Sequence, residues 1–216
     1  MRLLAPSHMW DIASSCVARL FMAAGAVALI IGAANSPGSA VGWTVSPGGP
    51  FTGHAGRTEL VDTTTGEAGI FCASSSSRGT FKPGSGLAGA GIGSVKAMSF
   101  RGGCFTLTAG LLPWQINARS YQPGAGATVG TITGVHLRFT DPAFCDFSAD
   151  GTGAAAGNGT VRFRYVNGAG RLQILRTGGT LHIYSVKGCG GAFHDGDTAA
   201  LSSTSMIAPM QIITGP

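Results

Sequence analysis

Residues 161–175 read Val161-Arg162-Phe163-Arg164-Tyr165-Val166-Asn167-Gly168-Ala169-Gly170-Arg171-Leu172-Gln173-Ile174-Leu175. Val161, Phe163 and Tyr165 alternate with Arg162 and Arg164, and Leu172 and Ile174 alternate with Arg171 and Gln173. A period of two places the apolar set on one face of an extended strand and the cations on the other. Between the two runs lie Asn-Gly and a second glycine, residues that accept the positive φ of a tight turn. The segment therefore predicts a β-hairpin with one buried and one basic face.

The same punctuation recurs in both directions. Val135-His136-Leu137-Arg138-Phe139 alternates three apolar residues against two polar ones. Trp114, Ile116 and Ala118 face one way after Pro113, and Val41, Trp43 and Val45 alternate before the turn Ser46-Pro47-Gly48-Gly49-Pro50. Further strands are predicted over 58–62, 68–73, 95–100, 104–109 and 181–189. The Ser/Gly stretch 74–94 predicts a loop with one short strand over 80–82. The tail, 205–214, predicts a final strand that Pro209 breaks and confines to an edge. The stretch 141–159 is polar enough to be a linker, but only 57 residues would follow it, a marginal domain. The expectation is one domain, an antiparallel β-sandwich or barrel of short strands.

Composition agrees. The chain has 216 residues, 36 of them glycine with no collagen-like period, and only 11% are charged. Mean hydropathy of +0.27 argues against wholesale disorder. So few charges also argue against a coiled coil or helical bundle, whose outer faces need Glu, Lys and Arg.

The N-terminus reads as an address. Arg2 and Arg19 precede an apolar run over 20–34, followed by Asn35-Ser36-Pro37-Gly38-Ser39-Ala40. A basic region, a short apolar region and small residues make a signal peptide over 1–40, cleaved after Ala40, with Met9 an alternative start. The run is short for a span of roughly 20 residues. Cys16 precedes it, which is not the place of a lipid-anchored cysteine.

Residues 41–216 then form an exported β domain with four cysteines, Cys72, Cys104, Cys145 and Cys189. An even set in an oxidising compartment predicts two disulfides, and Cys-x-x-Cys pairs for zinc are absent. Three connectivities are possible, of which Cys72–Cys104 with Cys145–Cys189 closes the shortest loops.

Chemical motifs are few. Gly84-Ser85-Gly86-Leu87-Ala88-Gly89 matches G-x-G-x-x-G, but no strand precedes it, no helix follows and no acid stands at the needed distance, so no nucleotide or other cofactor is expected. His194-Asp195-Gly196-Asp197 has calcium-binding atoms but reads equally as a turn, and no metal is expected there. Asn158-Gly159-Thr160 fits a glycosylation sequon. No catalytic constellation is visible. Between Gly151 and His194 there is no acid, while Arg162, Arg164, Arg171, Arg176 and Lys187 are present. If 161–186 forms a meander, Arg162, Arg164, Arg171, His182 and Tyr184 share its outer face. They make a candidate site for an anionic cell-wall polymer or glycan, or else a solvated positive face.

Trp43-Thr44-Val45-Ser46-Pro47-Gly48-Gly49, Gly86-Leu87-Ala88-Gly89-Ala90-Gly91-Ile92-Gly93-Ser94, Leu112-Pro113-Trp114 and Leu181-His182-Ile183-Tyr184 with Gly188-Cys189 resemble a group of Gly/Ser/Thr-rich secreted proteins of actinobacteria. That resemblance implies export and brings no activity or catalytic residues with it. A looser similarity, of class only, is to enediyne apoproteins, two-disulfide secreted β-sandwiches that carry an apolar ligand. The functional expectation is an exported, disulfide-stabilised, non-enzymatic binding protein of the cell surface or exterior. The alternatives are a small-molecule carrier with an apolar cavity between its sheets, or an extracellular hydrolase. A membrane-spanning barrel would need aromatic girdles that the sequence lacks.

Overall fold

The computed structural model describes residues 42–66, 69–104 and 106–216. The signal peptide expected over 1–40 and its expected cleavage point lie outside the described residues. In chain order the strands are β1 (Trp43–Ser46), β2 (Gly49–Asp62), β3 (Gly69–Cys72), β4 (Ser74–Phe81), β5 (Gly84–Leu87), β6 (Gly93–Arg101), β7 (Thr106–Gly110) and β8 (Trp114–Gln122). They continue as β9 (Ala127–Asp141), β10 (Cys145–Asp150), β11 (Gly159–Val166), β12 (Arg171–Leu175), β13 (Leu181–Gly188), β14 (Thr198–Ala208) and β15 (Ile212–Thr214).

Of the two architectures expected, the barrel is the one formed: an antiparallel sheet closes on itself with eight staves. Five staves are single strands, β2, β4, β6, β9 and β14. The other three are each built from two short strands end to end: β7 with β8, β10 with β11, and β13 with β12. The last pairing, β14 on β2, closes the ring and leaves it without a long free edge.

Long strand β9 shows how a curved stave is made. Gly134 sits at φ +84° where the register on β11 slips, so Ile132 and Val135 both point inward although they are three residues apart. Such a bulge bends the strand and resets its parity. Beyond it Val135, Leu137 and Phe139 are buried and Arg138 is exposed, as the alternation predicts. Other glycines face phenyl rings. A Cβ on Gly130 would collide with the Asn117 carbonyl and come within 2.8 Å of the Phe163 ring, its partner across β11. One on Gly79 would meet the Ser94 carbonyl and the Phe51 ring. Glycine here is room for an aromatic neighbour at a tight corner.

Two expectations are corrected. The Ser-rich run 74–81 is not a loop but stave β4, hydrogen-bonded to β2 and β6. Serine lacks strand propensity, yet Ser75 fits the narrow interior, where its hydroxyl meets that of Thr58 at 2.8 Å. The tail is not a broken edge strand: residues up to Ala208 complete β14, paired on both sides, and only β15 beyond Pro209 is an edge. β15 joins β1 and β5 in a small sheet that closes one end of the barrel with buried Trp43, Val45 and Ile213. The Gly-rich 84–89 match falls in β5 and the turn after it, paired to β1, and opens no helix.

Between the ends the interior is filled by side chains, among them Phe51, Phe81, Trp114, Phe147, Phe163 and Tyr165, in one continuous core. The disulfides are Cys72–Cys104 and Cys145–Cys189, the shortest-loop pairing. Loops of 32 and 44 residues contribute about 4 kcal/mol each on the chain-entropy account.

Candidate functional site

The end of the barrel opposite the small sheet is closed differently. β13 runs past β14, which pairs only with its Leu181 and His182, and the segment after Cys189 turns back along β13, with Gly196 donating to the Ile183 carbonyl and Ile183 to that of Asp197. This return carries Phe193 over the barrel mouth. Its ring lies 4.7 Å from that of Phe147, which lies 5.2 Å from that of Phe139. Phe139 and Phe147 are inward residues of β9 and β10, directly paired in register. The pairs are tilted, at 32° and 41° between ring planes, and aromatic rings at such distances attract one another by more than their buried area alone accounts for.

Beside this stack lies a depression of about 320 Å³ lined by Ile70, Phe139, Phe144, Gly190, Ala192, Phe193 and the Cys145–Cys189 disulfide, with Asp141, whose carboxylate accepts from the Ala143 N–H, as its one charged lining residue. Phe144 stands on its rim, 75% exposed. Its backbone is nonetheless held: its N–H donates to the Asp141 carbonyl at 3.2 Å, and its carbonyl accepts from Cys189. An apolar ring kept in water on a fixed backbone, over a floor of two buried rings, is an apolar contact site. Sequence reasoning missed these residues. Phe144 is an aromatic in a polar turn next to a half-cystine, and only its exposure distinguishes it from a core residue.

The five residues of the predicted basic face are placed on two separate strand pairs. β12 and β13 do not pair with each other, and each pairs instead with β14, so 161–186 is not a meander. Arg162, Arg164 and Arg171 do share the outer face of the β11–β12 hairpin. Asn167 in its turn is buried, its side chain exchanging hydrogen bonds with both backbone groups of Ile213. Gly170, at φ +58°, supplies the left-handed residue. His182 and Tyr184 belong to the outer face of β10–β13. The His182 Nδ1–H is shared between the carbonyls of Thr180 (3.1 Å) and Gly151 (3.2 Å), and the Tyr184 hydroxyl donates to the Gly151 oxygen at 3.0 Å. Both rings clasp the 151–158 loop.

Under that loop is a carboxylate cage. Asp150, fully buried, accepts from the N–H groups of Gly151 (2.6 Å), Gly157 (2.8 Å), Asn158 (3.0 Å) and Gly159 (3.1 Å), and from His136 Nδ1 (2.9 Å). Desolvation pushes its pKa up, but the combined donors, Gly157 and Gly151 foremost, outweigh this and hold it below 3.8. His136 and Asp150 resemble two-thirds of a hydrolytic triad, but all the carboxylate's partners are loop backbone and that one ring, which makes it a loop anchor. In the His194-Asp195-Gly196-Asp197 segment the Asp195 carboxylate accepts from Val186 N–H and that of Asp197 from His194 N–H. This is the turn chemistry of aspartate. Among the described residues no three His, Cys, Asp or Glu side chains converge to hold a metal ion, and no helix is long and apolar enough to cross a membrane.

A search of curated proteins and of solved structures gives no match. A family model does match, over residues 16–183, most of the chain, and it is described as alkane oxidation protein activator PraA/PraB-like. The chain belongs to the PraA/PraB-like family.

Proposed function

We propose that the protein is an exported, non-catalytic accessory protein that takes up an alkyl chain in the aromatic-floored depression at the barrel mouth. The observation that carries this reading is Phe144, exposed on a hydrogen-bonded backbone above Phe139 and Phe193. Two further facts support it. The family description refers to activation of alkane oxidation, and the filled barrel interior leaves the rim as the place for an apolar ligand. Export rests on the two disulfides and on the reading of residues 1–40, with the mature chain beginning at or near Val41.

Binding of an alkyl-chain fluorophore, competed with n-alkanes of increasing length, tests the reading. Each buried CH₂ contributes about 0.8 kcal/mol, so affinity is expected to rise about fourfold per added carbon until the depression is filled. Phe144→Ser is expected to weaken binding by about tenfold or more with unchanged thermal stability. Equal binding by wild type and variant, or no dependence on chain length, would overturn it.

A further inference from the structure

The outer face of the β11–β12 hairpin lies apart from the barrel mouth and has a chemistry of its own. Arg162 and Arg164 are neighbours on that face of β11, and Arg171 stands opposite Val166 on β12, one same-face step further along. Same-face residues on a strand are about 6.8 Å apart and paired strands about 4.8 Å, so the three backbone positions form a line of about 14 Å. Neither flanking strand supplies a counter-charge. On β9 the partners of Arg162 and Arg164 are Thr131 and Val129, and on β14 the partner of Arg171 is Met206. Among the described residues none of the three arginines forms an ion pair or a side-chain hydrogen bond, whereas Arg57 and Arg138 each meet a carboxylate.

Three like charges on one hairpin face repel one another, a modest cost in water that an anion placed among them would reverse. Arginine suits such an anion in a particular way: its planar fork grips a carboxylate with two parallel hydrogen bonds. Gln173, half-buried and opposite Arg164, adds a neutral hydrogen-bonding arm of the kind that meets hydroxyls. The face is a line, not a cup, so its ligand is extended and carries charge at intervals. Between Arg162 and Arg164 stand Gln173, Thr131 and half-buried Leu175, while beside Arg171 lie half-buried Val166 and the exposed Met206, so the polar part of the face is its Arg162–Arg164 end.

We propose that this face binds a carboxylated polysaccharide, laid along the hairpin with its carboxylates on Arg162, Arg164 and Arg171 and its hydroxyls toward Gln173. The proposal is independent of the alkyl site, and Phe144→Ser is expected to leave polysaccharide binding unchanged. In an assembly that handles apolar material, the face would hold the protein to an acidic matrix while the barrel mouth stays free.

The test is binding of the purified protein to immobilised polygalacturonate, with neutral dextran and anionic phospholipid vesicles in parallel, across a salt series from about 0.05 M to about 0.5 M. Binding to polygalacturonate is expected, weakening steadily as salt rises, with none to dextran. Arg162→Ser with Arg164→Ser is expected to weaken it at least tenfold, while Lys96→Ser with Arg101→Ser, which removes the same charge from exposed positions on β6, changes it less than twofold. Thermal melting of all variants shows that the fold persists. Equal loss with both double variants would reduce the effect to net charge and overturn the site. Preferential binding to the vesicles, or undiminished binding by the Arg162/Arg164 variant, would overturn it as well.

Discussion

Asp150 is the residue on which the outer loop over β10 depends. Four backbone donors and one imidazole converge on its two oxygens, and no uncharged side chain of that size can accept from all of them. Asp150→Ala would leave several buried N–H groups unpaired and is expected to cost about 3 kcal/mol, read as a lower urea midpoint at neutral pH. Because the folded-state pKa lies below 3.8, the unfolded chain takes up the proton first as pH falls. The stabilisation is thus fully present well above 3.8 and is lost on acidification through the folded value. The stability gap between wild type and Asp150→Ala is expected to narrow below pH 3.8. A gap that widened there would show that the carboxylate is not the anchor.

At the scale of elements, the small sheet at the closed end is held by a few buried polar contacts. The Tyr165 hydroxyl, at the inner end of β11, accepts from Gln211 N–H at 2.8 Å and donates to the Gln211 carbonyl at 2.9 Å. Burial raises its pKa and the Gln211 hydrogen bond partly offsets this, so it stays a neutral phenol over the working range. Thr128 and Asn167 add hydrogen bonds to Ile213. Tyr165→Phe keeps the packing but leaves both Gln211 backbone groups without that partner. It is expected to cost about 1–3 kcal/mol. Amide exchange should speed first in β15, the edge strand that these contacts dock, and only later in β11. Uniform acceleration across the barrel would contradict this assignment.

The molecule as a whole is a ring whose staves are hydrogen-bonded almost throughout. At the end opposite the small sheet, however, β3 pairs among the described residues with β2 alone, and β7 meets β6 at one described residue pair, Ser99 with Thr108. Cys72–Cys104 ties the end of β3 to the approach of β7 and so closes this weak seam covalently. Cys72→Ser is expected to release one reactive thiol, at Cys104, and to cost about 2–5 kcal/mol, with Cys145–Cys189 intact. Labelling at Cys145 or Cys189 would show that the bridges exchange.

How much of this was legible beforehand follows from the range of the forces involved. Alternation is a local property, because successive side chains on a strand point to opposite faces. The sequence by itself therefore determined the hairpin at 161–175, the inward set Val135, Leu137 and Phe139, and the all-β class. The four cysteines determined two bridges, with loop entropy favouring the pairing found. The closure of the sheet is non-local: β14 on β2 joins residues more than a hundred apart, and nothing in either segment names its partner. The Ser-rich run 74–81 became a stave because neighbours on both sides offered it backbone partners, an override of propensity by tertiary pairing. The parting of His182 and Tyr184 from the arginines has the same origin, since β12 and β13 were assigned to different levels of one stave by β14. The exposure of Phe144, and with it the candidate alkyl site, was decided only by the tertiary structure, because hydrophobicity states a preference for burial while the packed fold determines whether burial is available.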